Sequence, residues 1–184
     1  RYNVENLVTV ELPTGSRMVL ATAGAVDVTH FVDTHGRKVY GVDHRTRTVK
    51  ADDVRDVGDE LDASLDEQQA AVAGAMREYL SAHFASSDAG TEVYAKDGKL
   101  EIVVCGIVSD ERNKWSGSWR SWWTVDVAGK AISGKVRIVT HYYEGGNVQM
   151  HSQREFEAKP LAFDDAAGLA AAVKKAVGDS EFEL

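Results

Sequence analysis

Cysteine is almost absent from this sequence. The single thiol, Cys105, excludes an internal disulfide framework and fits a reducing compartment. It stands in the apolar run Val103, Val104, Cys105, Gly106, Ile107, so it reads as an inert core residue. A reactive thiolate needs an electropositive, partly exposed site instead. Proline is nearly as scarce, with Pro13 and Pro160 standing where elements end or turn. No apolar run reaches the ~18 residues of a membrane-spanning helix. Positive charge is in deficit: 21 Lys and Arg against 29 Asp and Glu leave a net charge of −8, which argues against a nucleic-acid binder. Repeats and low-complexity tracts are missing too. The chain opens on Arg1, without Met and without a signal pattern, and the expectation is a piece of a longer chain.

What is present suits a globular protein. The 184 residues are 43% apolar and 27% charged, enough for a sizeable core without staples. Residues 1–62 read as a small β-rich unit with a connector, and residues 63–184 as a helix, a sheet and the start of a second helix. In the first unit, residues 4–12, 18–23 and 29–42 have strand character. Pro13, Thr14 and Gly15 mark one turn and Thr34, His35 and Gly36 another. The acid-rich residues 51–61 read as a solvated connector. Ser64 and Glu67 then match a capping box, and Leu65, Val72, Met76, Tyr79, Leu80 and Phe84 form a helical stripe that ends over residues 86–90.

Five strands follow: residues 92–96, 100–109, 119–127, 133–143 and 148–156. Asp97-Gly98 and Gly145-Gly146 are tight-turn signals. Short connections demand an antiparallel meander, because parallel crossovers need a dozen residues or more. The fold class is therefore α+β: a five-stranded antiparallel sheet covered by a C-terminal helix. That helix starts at Asp164 as N-cap and carries Leu169, Val173, Val177 and Leu184 on one stripe, with no C-cap signal at its end.

Constellations that could carry chemistry are weak. His30, His35 and His44, with Asp33 nearby, lack a CxxC or HExxH companion and read as solvated turn histidines. His141 and His151 flank the Gly145-Gly146 turn. A two-residue turn there would set Tyr143 against Val148 and His141 against Met150 or His151. That leaves either a cross-strand histidine pair able to sense pH or one histidine hydrogen-bonded within the sheet. Ser116-Gly117-Ser118 is not a nucleophile elbow, and no helix follows Gly145-Gly146 to make a phosphate loop. The four tryptophans, Trp115, Trp119, Trp122 and Trp123, point to core or subunit packing. Trp119 and Trp123 share one strand face and should lie under a covering element, while Arg120 could stack on Trp122 on the other. No catalytic, cofactor or metal residue is assigned, and the chain does not read as an enzyme. The last strand has no later strand to cover its far edge. Val148, Gln149, Met150, His151, Ser152, Gln153 and Arg154 are therefore the candidate subunit interface.

Two segments carry a family resemblance. Trp115, Gly117, Trp119, Arg120 and Trp123 fall in a stretch that resembles W-x-G-x-W-R-S-x-W of the alpha subunits of heterodimeric F-actin capping protein. His141, Tyr142, Tyr143, Glu144 and Asn147 resemble that family's H-[FY]-[FY]-E-D-G-N-V, departing only at Gly145, where the family has Asp. Tyr2-Asn3 and Val93-Tyr94-Ala95-Lys96 also match, in the same order. The resemblance implies a capping-protein alpha fold without its N-terminal stalk and C-terminal tentacle. It implies an obligate beta-subunit partner whose sheet continues this one, and a role in blocking subunit exchange at actin filament barbed ends. It further implies a cytoplasmic, cytoskeletal location without membrane insertion. The family's basic actin-binding residues lie in the tentacle, so none is carried over. An alternative is a structural subunit of a larger assembly, such as a dynein-activator or flagellar complex, where the alpha–beta pair terminates an actin-like filament.

Overall fold

The computed structural model describes residues 1–84, 89–143 and 145–181. A single helical turn, α1 (Tyr2–Glu5), precedes the hairpin β1 (Thr9–Glu11) and β2 (Arg17–Val19). A three-stranded antiparallel sheet follows: β3 (His30–Asp33), β4 (Lys38–Asp43) and β5 (Thr48–Asp56). Helix α2 (Asp66–His83) leads into the meander of β6 (Gly90–Lys96), β7 (Lys99–Asp110), β8 (Trp115–Asp126), β9 (Ala131–Tyr142) and β10 (Val148–Pro160). These five strands pair in sequence order, all antiparallel, and α3 (Ala166–Glu181) is the last described element. The α+β reading and the meander hold.

Local boundaries differ from the sequence reading for identifiable reasons. Residues 4–12 yield one helical turn and only three strand residues. The acid-rich stretch expected to be a connector is extended in β5, which among the described residues pairs only with β4. Both faces of β5 meet solvent, so its carboxylates cost little to place there. The capping box does not form. Asp62 caps instead, its Oδ1 accepting from the Ser64 amide at 3.0 Å and the Ser64 hydroxyl at 2.6 Å, and a short 3₁₀ turn (Ala63–Leu65) feeds α2. At α3 the cap is Asp165 rather than Asp164, with Oδ1 accepting from the Gly168 amide at 2.7 Å. The expected end of the first helix at residues 86–88, and Leu184, lie outside the described residues.

The sheet is covered differently on its two faces. One face bears α2 and α3. Val72, Met76 and Tyr79 from α2 and Leu169, Val173 and Val177 from α3 pack on Val93, Leu100, Ile102, Trp123, Val125 and Val136. On the opposite face, Tyr94, Val103 and Cys105 pack against Leu7, Val19, Ala21, Val32, Val39 and Leu61 of the N-terminal region. That second cover reaches mainly β6 and β7.

Candidate interaction surface

The alternation of β10 sorts its residues by face. Register pairs Val148 with Tyr142, Met150 with Thr140, Ser152 with Ile138 and Arg154 with Val136, on the face that bears the helices. Gln149, His151 and Gln153 point to the other face, opposite His141, Val139 and Arg137. Among the described residues, β10 has β9 as its only strand neighbour, so the outer edge of a 13-residue strand is unpaired. Among the described residues, neither helix covers this corner. Val148 is 60% exposed, Met150 59% and Tyr142 41%, and Val108 of β7 continues the same apolar face at 41%.

The hairpin joining β9 to β10 is wider than the sequence suggested. Tyr142 pairs with Val148, so five residues, not two, make the connection. This moves the register by one: His141 faces Gln149 and His151 faces Val139, and no histidine pair forms. The reason is local. His141 Nε2 bonds Asn147 Oδ1 across the loop, the Tyr143 amide donates to the Lys114 carbonyl at 2.9 Å, and Gly145 takes φ +64°. The Tyr143 ring lies 5.5 Å from that of His141. Glu144 lies outside the described residues.

The tryptophan segment spans β8. Trp123 is 3% exposed, with Phe156 of β10 5.4 Å away between ring centroids. Gly134 of β9 sits directly opposite, where a Cβ would come 2.3 Å from the Trp123 ring and 2.5 Å from the Trp122 carbonyl oxygen. Only glycine admits that ring. Trp119 is half-buried, 6.3 Å from Phe84, and Trp115 lies over Gly117 at the uncovered end. Trp122, on the opposite face, carries Lys135 Nζ at 4.8 Å and Arg137 at 5.6 Å. Arg120 does not take that place, because its guanidinium is committed to the N-terminal region and to its own strand. Its Nε donates to the Asn6 carbonyl at 2.6 Å and its Nη1 to Ser118 Oγ at 2.8 Å. Burial, and then the Arg137 charge across the strand, hold the Arg120 pKa below its ordinary value.

Three groups escaped the sequence reading. Arg137 donates from Nη2 to the Glu5 carbonyl and to Asn6 Oδ1, both at 3.0 Å, tying α1 to the sheet. Asn6 is the shared acceptor. Glu92 of β6 is fully buried, accepts from the Thr34 amide at 3.2 Å and from the Thr34 hydroxyl, and burial pushes its carboxyl up to about 8. Nothing in the sequence marks these contacts, since each joins segments far apart in the chain. The turn histidines are less solvated than expected. His30 bridges Asp27 at 2.8 Å and Asp53 at 3.2 Å, which raises its pKa, and His44 Nε2 bonds the Val28 carbonyl at 2.7 Å.

Comparison with known proteins places this arrangement. The family model described as F-actin capping protein alpha subunit matches residues 1–184. A relative named F-actin-capping protein subunit alpha from Neurospora crassa is 26% identical over 159 residues, covering 86% of this chain and 57% of the relative. One of the same name from Dictyostelium discoideum is 27% identical over 191 aligned positions, covering 100% of this chain and 66% of the relative. The solved structure of homodimeric actin capping protein alpha subunit from Plasmodium berghei shares the fold at a TM-score of 0.83 and 19% identity, over 99% of this chain and 70% of that one. The chain spans only 54–61% of the length of the fungal relatives from Neurospora crassa, Gibberella zeae and Chaetomium thermophilum.

Proposed function

The chain belongs to the F-actin capping protein alpha subunit family, and from that premise we propose that it is the scaffold half of a barbed-end cap. It pairs with a beta subunit, and the pair blocks addition and loss of actin subunits. The work is done by binding rather than by catalysis, at the cytoskeleton in the cytoplasm. Among the described residues no helix is long and apolar enough to cross a membrane.

One observation carries the reading. The free edge of β10 lies beside exposed Tyr142, Val148 and Met150. A long unpaired edge is a template for another strand, and contiguous apolar surface beside it marks a protein contact. Residues 148–154 are the proposed junction, with the partner's sheet extending this one. Such a surface also predicts poor solubility of the 184-residue chain alone, since its apolar corner would be open to self-association.

A second reading rests on the similarity to a structure titled as a homodimer: a second copy of this chain could take the edge. Co-expression separates the two. A 1:1 complex with a beta subunit supports the first, and a self-associated dimer that ignores the beta subunit supports the second. The activity test adds the chain, with and without a beta subunit, to pyrene-labelled actin growing from seeds. No inhibition is expected from the chain alone. Full barbed-end inhibition without any partner would place the capping surface within these residues and overturn the scaffold reading.

A further inference from the structure

Outside the β10 corner, the molecule concentrates positive charge in one recess. A cavity of about 340 Å³ opens between α1, β1, β2, the β4–β5 turn and the middle of β7 and β8. Its walls bring together Arg17, Arg47 and Arg120. None of its described lining residues is acidic, although the chain as a whole carries a net charge of −8. Such a local excess of charge asks for an anion.

The arginines are held rather than merely near. Arg120 spends its Nε and Nη1 on two neutral oxygens, the Asn6 carbonyl and Ser118 Oγ. Arg137, directly opposite in the sheet, also donates to neutral oxygens, and its buried Nε has no partner among the described residues. The Glu5 carboxylate acts on Arg137 but is hydrogen-bonded to Arg1, and neither Arg120 nor Arg137 has a described hydrogen bond to a carboxylate, so an anion entering beside Arg120 would meet uncompensated positive charge. Arg17 donates to Thr9 Oγ1 at 3.1 Å, which aims both side chains at the recess. Arg47 stands in a left-handed turn position at φ +58° and lines the recess. Planar guanidinium donors match the oxygens of phosphate better than any other side chain. The volume exceeds that of a bare phosphate and reaches the lower range of small-ligand sites, about 300 Å³ upward. Ile107 and the exposed ring of Tyr2 supply an apolar wall for a ligand body.

We propose that this recess binds the phosphate group of a small, soluble phosphorylated molecule, with Arg17, Arg47 and Arg120 as its anion cradle. The site lies on the N-terminal side of the sheet, away from the β10 edge, so it can be occupied while the partner is bound.

Calorimetric titration of the full-length protein, with its partner subunit, tests this using inorganic pyrophosphate and adenosine monophosphate as probes. Vesicles of phosphatidylcholine, with and without phosphatidic acid, form a third arm. Saturable binding of the soluble probes is expected, weakened roughly tenfold by Arg47→Gln, the loss of one charge-assisted contact. Arg47 is exposed and holds no other element, so this variant should fold normally. Arg1→Gln, outside the cavity, should leave affinity unchanged. Absence of saturable binding, or binding equally strong in Arg47→Gln, overturns the proposal. So does a response confined to phosphatidic acid vesicles, which would move the site to a membrane-facing surface.

Discussion

The two edges of the five-stranded sheet are opposites in burial. Six of the seven residues of β6 are buried, whereas only Phe156 is buried among the thirteen of β10. Among the described residues, both strands pair on one side only. What separates them is cover: α2 and the N-terminal sheets enclose β6, and nothing among the described residues encloses the start of β10. Backbone pairing makes a strand, but only tertiary cover decides whether its apolar side chains are core or contact surface.

Glu92 gives the largest lever on the enclosed edge. Its carboxyl is raised from 4.5 to about 8 in the folded chain by burial. The folded state therefore holds a proton that the unfolded state has released. Stability should fall as pH rises through that window, by about 1.4 kcal/mol per unit, and level off above it. Urea denaturation between pH 5 and pH 9 measures this, and Glu92→Gln should flatten the slope. An identical slope in the variant would mean that Glu92 is solvated and the β6 edge less closed than described.

Trp123 tests the middle of the sheet. Trp123→Ala should cost on the order of 3–5 kcal/mol, as for other large core aromatics, read as a lowered denaturation midpoint. Unchanged melting would show that the ring carries no packing. Hydrogen exchange compares the edges directly. The outward amides of β10 should exchange fast in the isolated chain and slow on addition of a partner, while β6 stays slow throughout. Exchange at β10 that ignores the partner would remove this strand from the interface. The smallest effect is expected at Met150, on the same sheet face as Trp123. Met150→Ala should change the stability of the isolated chain by within about 0.5 kcal/mol, as for exposed positions generally. It should nonetheless weaken partner binding in a pull-down, and a large stability loss would show that the corner is already covered.

Much of this contrast was legible beforehand because it depends on short-range pattern. The alternation through Trp119, Ser121, Trp123 and Val125 is set by the two-residue period of a strand, and the buried partners follow from it. The helical stripe of Val72, Met76 and Tyr79 is equally local. Register was less accessible. The Gly145-Gly146 pair suggested a two-residue turn, but the His141–Asn147 hydrogen bond closes a five-residue loop and sets His141 on Gln149. A single bond of that kind outweighs a turn preference and is invisible to composition. The cap at Asp62 displaced Ser64 for a similar reason: two carboxylates and a hydroxyl compete within five residues, and geometry selects among them.

By itself, the sequence determined the α2 stripe, the five-strand antiparallel order and the aromatic stripe, though not the α1 turn or β5, because periodicity and turn chemistry act between neighbours in the chain. Only the tertiary structure decided that Arg120 and Arg137 reach Asn6, that Glu92 is sealed under Thr34, and that Val148 and Met150 are left in the open. Arg120 and Asn6 stand 114 residues apart. Contacts over such distances depend on how whole layers dock, and their energies arise only once water has been excluded between them.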